Sequence, residues 1–96
     1  MNIQIAQMFK TLGDPKRIEI LNRLAGGETC GCTLIDNLDI TQPTLSHHLK
    51  VLSNTGLTRT NKVGNRIHQK INFEAIDTLI EYLNQLKSSQ TGQKND

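Results

Sequence analysis

The chain contains no tryptophan, one tyrosine and two phenylalanines in 96 residues. Large aromatic anchors, which contribute much of the burial in small monomers, are therefore scarce. A second copy of the chain can supply the missing burial. Only two cysteines are present, Cys30 and Cys32. They are too few for a disulfide framework, and in a reducing cytosol they read as thiols, metal ligands or a redox pair. No apolar run approaches the ~20 residues needed to span a bilayer. The N-terminus lacks a basic segment followed by a long apolar one, so no signal peptide is expected. These absences predict a cytoplasmic protein with no membrane partner. There is also no nucleophile elbow, catalytic carboxylate pair or phosphate loop, which argues against an enzyme and leaves no organic cofactor to expect.

What is present suffices for one small domain. Leu, Ile, Val and Phe number 26 of the 96 residues, above the roughly 20% below which chains tend to disorder. The formal charge of +2 hides an uneven distribution. Residues 41–70 hold Lys50, Arg59, Lys62, Arg66 and Lys70 and no acidic residue, so they carry +5. The remainder holds six basic against nine acidic residues, a net of −3. A basic segment on a mildly acidic scaffold is an electrostatic footprint for a polyanion, although a solvated face would carry such charges too.

Hydrophobic spacing predicts five helices and a hairpin. Ile5, Met8, Phe9 and Leu12 follow the i, i+3, i+4, i+7 rule of an amphipathic helix that Gly13 ends. Asp14-Pro15 is a cap followed by proline at the first helical position. Ile18, Leu21, Leu24 and Ala25 form the apolar face of a second helix, stopped by Gly26-Gly27. Leu34, Ile35 and Leu38 predict a short third helix starting near the cysteines. Thr41 opens a fourth, with Leu45, Leu49 and Leu52 on its core side. Pro43, His47 and Lys50 project opposite, Thr44 and Ser46 lie on the flanks, and His48 sits beside the apolar stripe. Leu57–Val63 and Arg66–Asn72 flank Gly64-Asn65, a hairpin turn signal. Phe73, Ile76, Ile80 and Leu83 begin a fifth helix, broadened by Leu79, Tyr82 and Leu86. Residues 88–96 lack apolar side chains and are expected to form a disordered tail beyond a domain of residues 1–87.

Two short helices joined by a tight turn and followed by a basic hairpin make a winged helix-turn-helix, a mainly α fold with a small β-hairpin. A helix fits the major groove of duplex DNA. Thr41, Gln42, Thr44, Ser46, His47 and Lys50 can reach base edges or phosphates from it. Arg59, Lys62, Asn65 and Arg66 can reach the backbone or minor groove from the wing. Winged helices also serve as protein-interaction modules, so the fold alone does not decide function. Ile5, Met8, Phe9 and Leu12 on the first helix, with Ile76, Leu79, Ile80 and Leu83 on the last, are the expected seam of a homodimer. Such a dimer sets two reading helices about one DNA turn apart, on an inverted repeat of double-stranded DNA.

Several of these segments carry a resemblance. Glu28-Thr29-Cys30-Gly31-Cys32 resembles the metal-binding box of the ArsR/SmtB metalloregulators. Residues 41–50 resemble that family's recognition helix, and Asp14-Pro15-Lys16-Arg17-Ile18 its Asp-Pro-x-Arg helix start. The match runs in order from about Ile5 to Leu86. The resemblance implies a homodimeric repressor that leaves its operator when a metal or metalloid binds Cys30 and Cys32. It is nearest to the arsenic-sensing branch, which makes As(III) or Sb(III) the expected inducer, with another soft metal ion as the variant.

The chain departs from that branch at Ile35, where such sensors often carry a third cysteine. It offers Glu74, Asp77 and Glu81 but no histidine after His68, so a zinc site on the last helix is not expected. No cysteine precedes Cys30, which leaves nothing for a cadmium-type N-terminal site. Residues two apart on an intact helix lie about 200° around its axis and cannot share one ion. Chelation by Cys30 and Cys32 therefore needs an open turn, which Gly31 eases at a helical cost of about 1 kcal/mol relative to alanine. A rival use of the pair is thiol oxidation, and the bland alternative is that the cysteines are small apolar fillers.

Overall fold

The computed structural model describes residues 3–28, 30–36 and 38–93, with the side chains of residues 31, 32 and 90–93 outside the description. The elements run α1 (Ile3–Leu12), α2 (Pro15–Ala25), α3 (Gly31–Leu34), α4 (Gln42–Asn54), β1 (Thr58–Val63), β2 (Arg66–Ile71) and α5 (Phe73–Gln93). Four of these helices span ten residues or more, whereas α3 is a single turn of four. The sequence predicts a fuller third helix. The chain leaves helical geometry after Leu34, and Asp39 takes a positive φ of 57°, a conformation that aspartate tolerates better than most residues.

Local chemistry explains the main boundaries. The Asp14 carboxylate accepts from the backbone N–H groups of Lys16 at 2.8 Å and Arg17 at 3.4 Å, capping α2 at its proline start. Thr41 caps α4 by accepting from the Thr44 N–H at 3.3 Å. Asn72 caps α5, its Oδ1 accepting from the Glu74 N–H at 3.1 Å. Such side chains satisfy N–H groups that have no partner within their own helix. Gly64 turns the hairpin at φ 62°. The antiparallel register then places Thr58 opposite Ile71 and Val63 opposite Arg66. The first strand starts one residue later than the sequence predicts, because the Leu57 N–H donates to the Leu52 carbonyl at the end of α4, at 3.1 Å.

The core draws on nearly every element. Ile20, Leu34, Leu38, Leu45, Leu52 and Leu57 are essentially sealed from solvent, joined by Met8, Leu24, Ala75 and Leu79. Each fully buried leucine or isoleucine contributes about 1.5–3 kcal/mol. Met8 at 3% and Leu79 at 6% exposure point into this core. They are therefore occupied within the protomer, although the sequence places them on the dimer seam. Their apolar periodicity marks a buried face without saying what buries it.

The last helix overruns its expected end. Residues 88–93 continue α5, where the sequence reading begins a disordered tail, while residues 94–96 lie outside the description. No proline interrupts this stretch, and extending a nucleated helix costs far less than starting one. The radius of gyration is 15.8 Å, against about 12.5 Å for a compact domain of this length. The excess reflects α5, whose distal half stands clear of the body. Along it Ile80, Leu83 and Leu86 are each about half exposed, at 50%, 48% and 51%.

Candidate nucleic-acid interface and thiol site

The outer face of α4 follows from its burial pattern. Leu45, His48 and Leu52 are buried, whereas Gln42, Thr44, Ser46, His47 and Lys50 are exposed, as is the capping Thr41. The helix therefore presents short polar and basic side chains over a leucine floor. On the wing, Arg59, Lys62, Asn65 and Arg66 are likewise exposed. A groove runs between the two, lined by Gln42, Ser46 and Lys50 from α4 and by Thr60, Asn65 and Arg66 from the hairpin. Every position expected to touch nucleic acid is thus solvent-facing, and several share one concavity. Arg59 is engaged elsewhere, its guanidinium 2.9 Å from the Glu74 carboxylate.

A buried polar latch fixes the wing to α4. Thr58 Oγ1 donates to Gln69 Oε1 at 2.7 Å, and Gln69 Nε2 reaches the Leu49 carbonyl at 3.4 Å. Leu49 lies between Ser46 and Lys50 in sequence, so this contact joins β2 to the segment of α4 that carries them. A second tie joins α2 to α4. Arg17 Nε donates to Nδ1 of His48 at 3.1 Å, an acceptor only when the ring is neutral. Burial pushes the His48 pKa below the ordinary imidazole value, with the nearby Asp14 carboxylate opposing and Arg17 reinforcing the shift. The sequence reading places His48 beside the apolar stripe but gives no sign of this partner.

Cys30 helps to line the same groove. Cys30 precedes α3, and its carbonyl accepts from the N–H groups of Thr33 at 3.1 Å and Leu34 at 3.0 Å. It is therefore the N-cap residue of that turn, not a residue within it. The 200° separation expected on an intact helix does not apply, because only Cys32 stands inside the helical turn. Cys30 is half-buried and disulfide-bonded in this structure; the side chain of Cys32 falls outside the description. As donors, two thiols this close in sequence suit a thiophilic ion once reduced. Among the described residues no cluster of three or more metal-ligating side chains occurs.

One residue gathers this region that sequence reasoning missed. Arg23 of α2 forks onto Glu28, with Nε 3.0 Å from Oε2 and Nη2 2.6 Å from Oε1. It also donates to the carbonyls of Leu34 at 3.0 Å, Thr33 at 2.7 Å and Asp36. The bond to Arg23 holds the Glu28 carboxyl below its usual pKa. The signal available in sequence is a basic residue in the last turn of a helix, five residues before a glutamate. It does not reveal that the acceptors are the carbonyls of the next turn.

Of the expected seam, Ile5, Phe9, Leu12 and Ile76 are half-buried, and Ile80 and Leu83 are exposed. Phe9 and Tyr82 pack in a tilted pair with ring centroids 6.0 Å apart, tying α1 to α5. Among the described residues, no helix is long and apolar enough to cross a membrane.

Comparison with known proteins agrees with this geometry. Residues 14–60 match the family described as bacterial regulatory protein, arsR family. The chain is 38% identical over 89 residues to an arsenical resistance operon repressor of Staphylococcus xylosus, covering 93% of this chain and 86% of that protein. An ArsR-like transcriptional regulator from Rhodococcus sp. RHA1 superposes with a TM-score of 0.86 at 23% identity, covering 95% of this chain and 86% of that one. A homodimeric winged helix-turn-helix DNA-binding domain from Mycobacterium bovis does so at 0.70 and 25% identity, covering 91% and 80%.

Proposed function

The chain belongs to the ArsR family of bacterial regulatory proteins, and from that premise we propose a homodimeric transcriptional repressor that holds an inverted repeat of duplex DNA and releases it when Cys30 and Cys32 bind a thiophilic ion. Arsenite or antimonite is the leading inducer, because the Staphylococcus xylosus relative is an arsenical resistance repressor. The observation that carries the reading is the groove in which the exposed polar face of α4, the basic wing and Cys30 meet. Gln42, Thr44, Ser46 and His47 offer hydrogen-bonding groups to base edges and phosphates, and Lys50, Lys62 and Arg66 offer charge to phosphates. Because Cys30 caps α3 and lines that groove, a rearrangement there reaches the reading face over a short path. A bias of a few kcal/mol between two arrangements is enough to change operator occupancy substantially.

With arsenite the chemistry balances as a condensation. Each thiol loses its proton, two As–S bonds replace two As–OH bonds, and two waters leave. The test is a DNA-release titration of the reduced protein with arsenite, antimonite, cadmium, zinc and mercury, beside the Cys30→Ser, Cys32→Ser double variant. Wild type is expected to release DNA with at least one of these ions and the variant with none. Equal release from the variant removes the cysteines from the mechanism.

The disulfide state of Cys30 favours a second reading, repression controlled by thiol oxidation. Release by peroxide with no added ion, reversed by a reductant, is its signature.

A further inference from the structure

Two cysteines leave a three-coordinate ion one donor short, and the fold brings one histidine into register with Cys30. Cys30 and His68 form an isolated antiparallel bridge, which places the N-cap of α3 alongside β2. Residues directly opposed in such a pairing share one face, with Cβ atoms about 4.5–5.5 Å apart. That spacing is within reach of a common ion bound at about 2.3 Å to sulfur and 2.0–2.1 Å to nitrogen. We propose that His68 supplies the third donor for the ion held by Cys30 and Cys32. The inference rests on the reading of the cysteine pair as the inducer site and names what completes it.

Nearby alternatives are poorer. Ile35, where related sensors often carry a third cysteine, has no donor atom. The Glu28 carboxylate is bound on both oxygens by Arg23. His48 gives its Nδ1 to Arg17, and His47 lies on the exposed face of α4. His68 is half-buried, on the strand that Cys30 pairs with.

Arsenite can still bind through the two thiolates, and an imidazole beside them extends the site to divalent ions. Three thiolates suit trivalent arsenic, whereas two thiolates and one nitrogen suit a thiophilic divalent cation such as cadmium or zinc. On binding, each thiol releases its proton to solvent, while the neutral imidazole lends a lone pair and releases none, so two protons leave per divalent ion. The donor also shortens the route to DNA. His68 adjoins Gln69, whose side chain latches the wing to the Leu49 carbonyl. An ion joining Cys30 to His68 thus ties α3 to the strand that positions the wing.

The experiment uses the full chain, reduced with a phosphine that is then removed, and cadmium as the probe. Wild type is expected to show two sulfurs and one imidazole nitrogen at cadmium by X-ray absorption. His68→Asn is expected to lose the nitrogen and at least about tenfold in cadmium affinity. An unchanged affinity and ligand shell in His68→Asn overturns the proposal. If that variant does not fold, His68→Cys carries the test. It is expected to exchange nitrogen for sulfur and to gain arsenite affinity, and no change in either overturns the proposal. The Cys30→Ser, Cys32→Ser variant separates the two layers. Cadmium binding that survives it sinks the underlying thiol site, whereas binding lost there but intact in His68→Asn sinks only the role of His68.

Discussion

The salt dependence of DNA binding can be worked out from the exposed cations. Lys50, Lys62 and Arg66 face solvent on the reading helix and wing, and no ion pair is described for them. Arg59 is different, because Glu74 holds it at 2.9 Å. A dimer therefore brings about six unpaired cations to the duplex, and each neutralised phosphate contributes about −0.9 to the slope of log affinity against log salt. The expected slope is about −5, or roughly a thousandfold loss of affinity between 50 and 200 mM salt. Lys62→Ala removes two contacts per dimer and flattens the slope to about −3.6. Glu74→Gln frees Arg59 and steepens it toward about −7, since an exposed ion pair of this kind contributes little stability of its own. Fluorescence anisotropy with a labelled operator fragment across a salt series reads all three slopes. A wild-type slope shallower than about −2, or one that Lys62→Ala leaves untouched, would refute the assignment of this face to DNA.

Acid sensitivity should trace to His48. Its folded pKa lies below the unfolded value, so the native state resists a proton that the unfolded state accepts. Stability is then fully present above about pH 6.5 and lost as pH falls from there through the folded pKa. Thermal melts from pH 8 to 5 of wild type and His48→Gln are expected to diverge in that window, the variant showing the weaker dependence. The distal half of α5 should govern assembly. Leu83→Glu places a charge among Ile80, Leu83 and Leu86 and is expected to yield monomers by sedimentation while leaving the far-ultraviolet spectrum of the fold in place. A variant that remains dimeric at micromolar concentration moves the seam away from α5.

Features set by neighbouring residues were legible in the sequence. Asp14-Pro15, Thr41 and Gly64-Asn65 each encode a helix start or turn within a few positions, and the structure forms all three. The burial of Leu45 and Leu52 and the exposure of Gln42, Ser46 and Lys50 follow from helical period alone. Features that depend on residues distant in sequence were not legible. Arg23 spans to carbonyls beyond the Gly26-Gly27 turn, Gln69 reaches back to Leu49, and Cys30 pairs with His68. No periodicity encodes such pairings. The apolar faces of α1 and α5 were visible, yet the sequence could not divide them between the protomer's own core, which takes Met8 and Leu79, and a partner. Polar composition alone does not mark the end of α5, because serine and glutamine can continue a helix already under way.

The four-residue turn that presents Cys30 cannot stand by itself, since helices shorter than about 12–15 residues are marginal in water. Arg23 and the burial of Leu34 hold it from outside. Its shape is therefore maintained by a bracket that touches mainly main-chain carbonyls and is nearly indifferent to the side chains the turn displays. Residues at the turn can be exchanged for others with different ligand chemistry while the bracket, the core and the reading face stay as they are. In the proposed mechanism this keeps the detector interchangeable and the lever constant, so that a new chemical signal calls for changes at only a handful of positions.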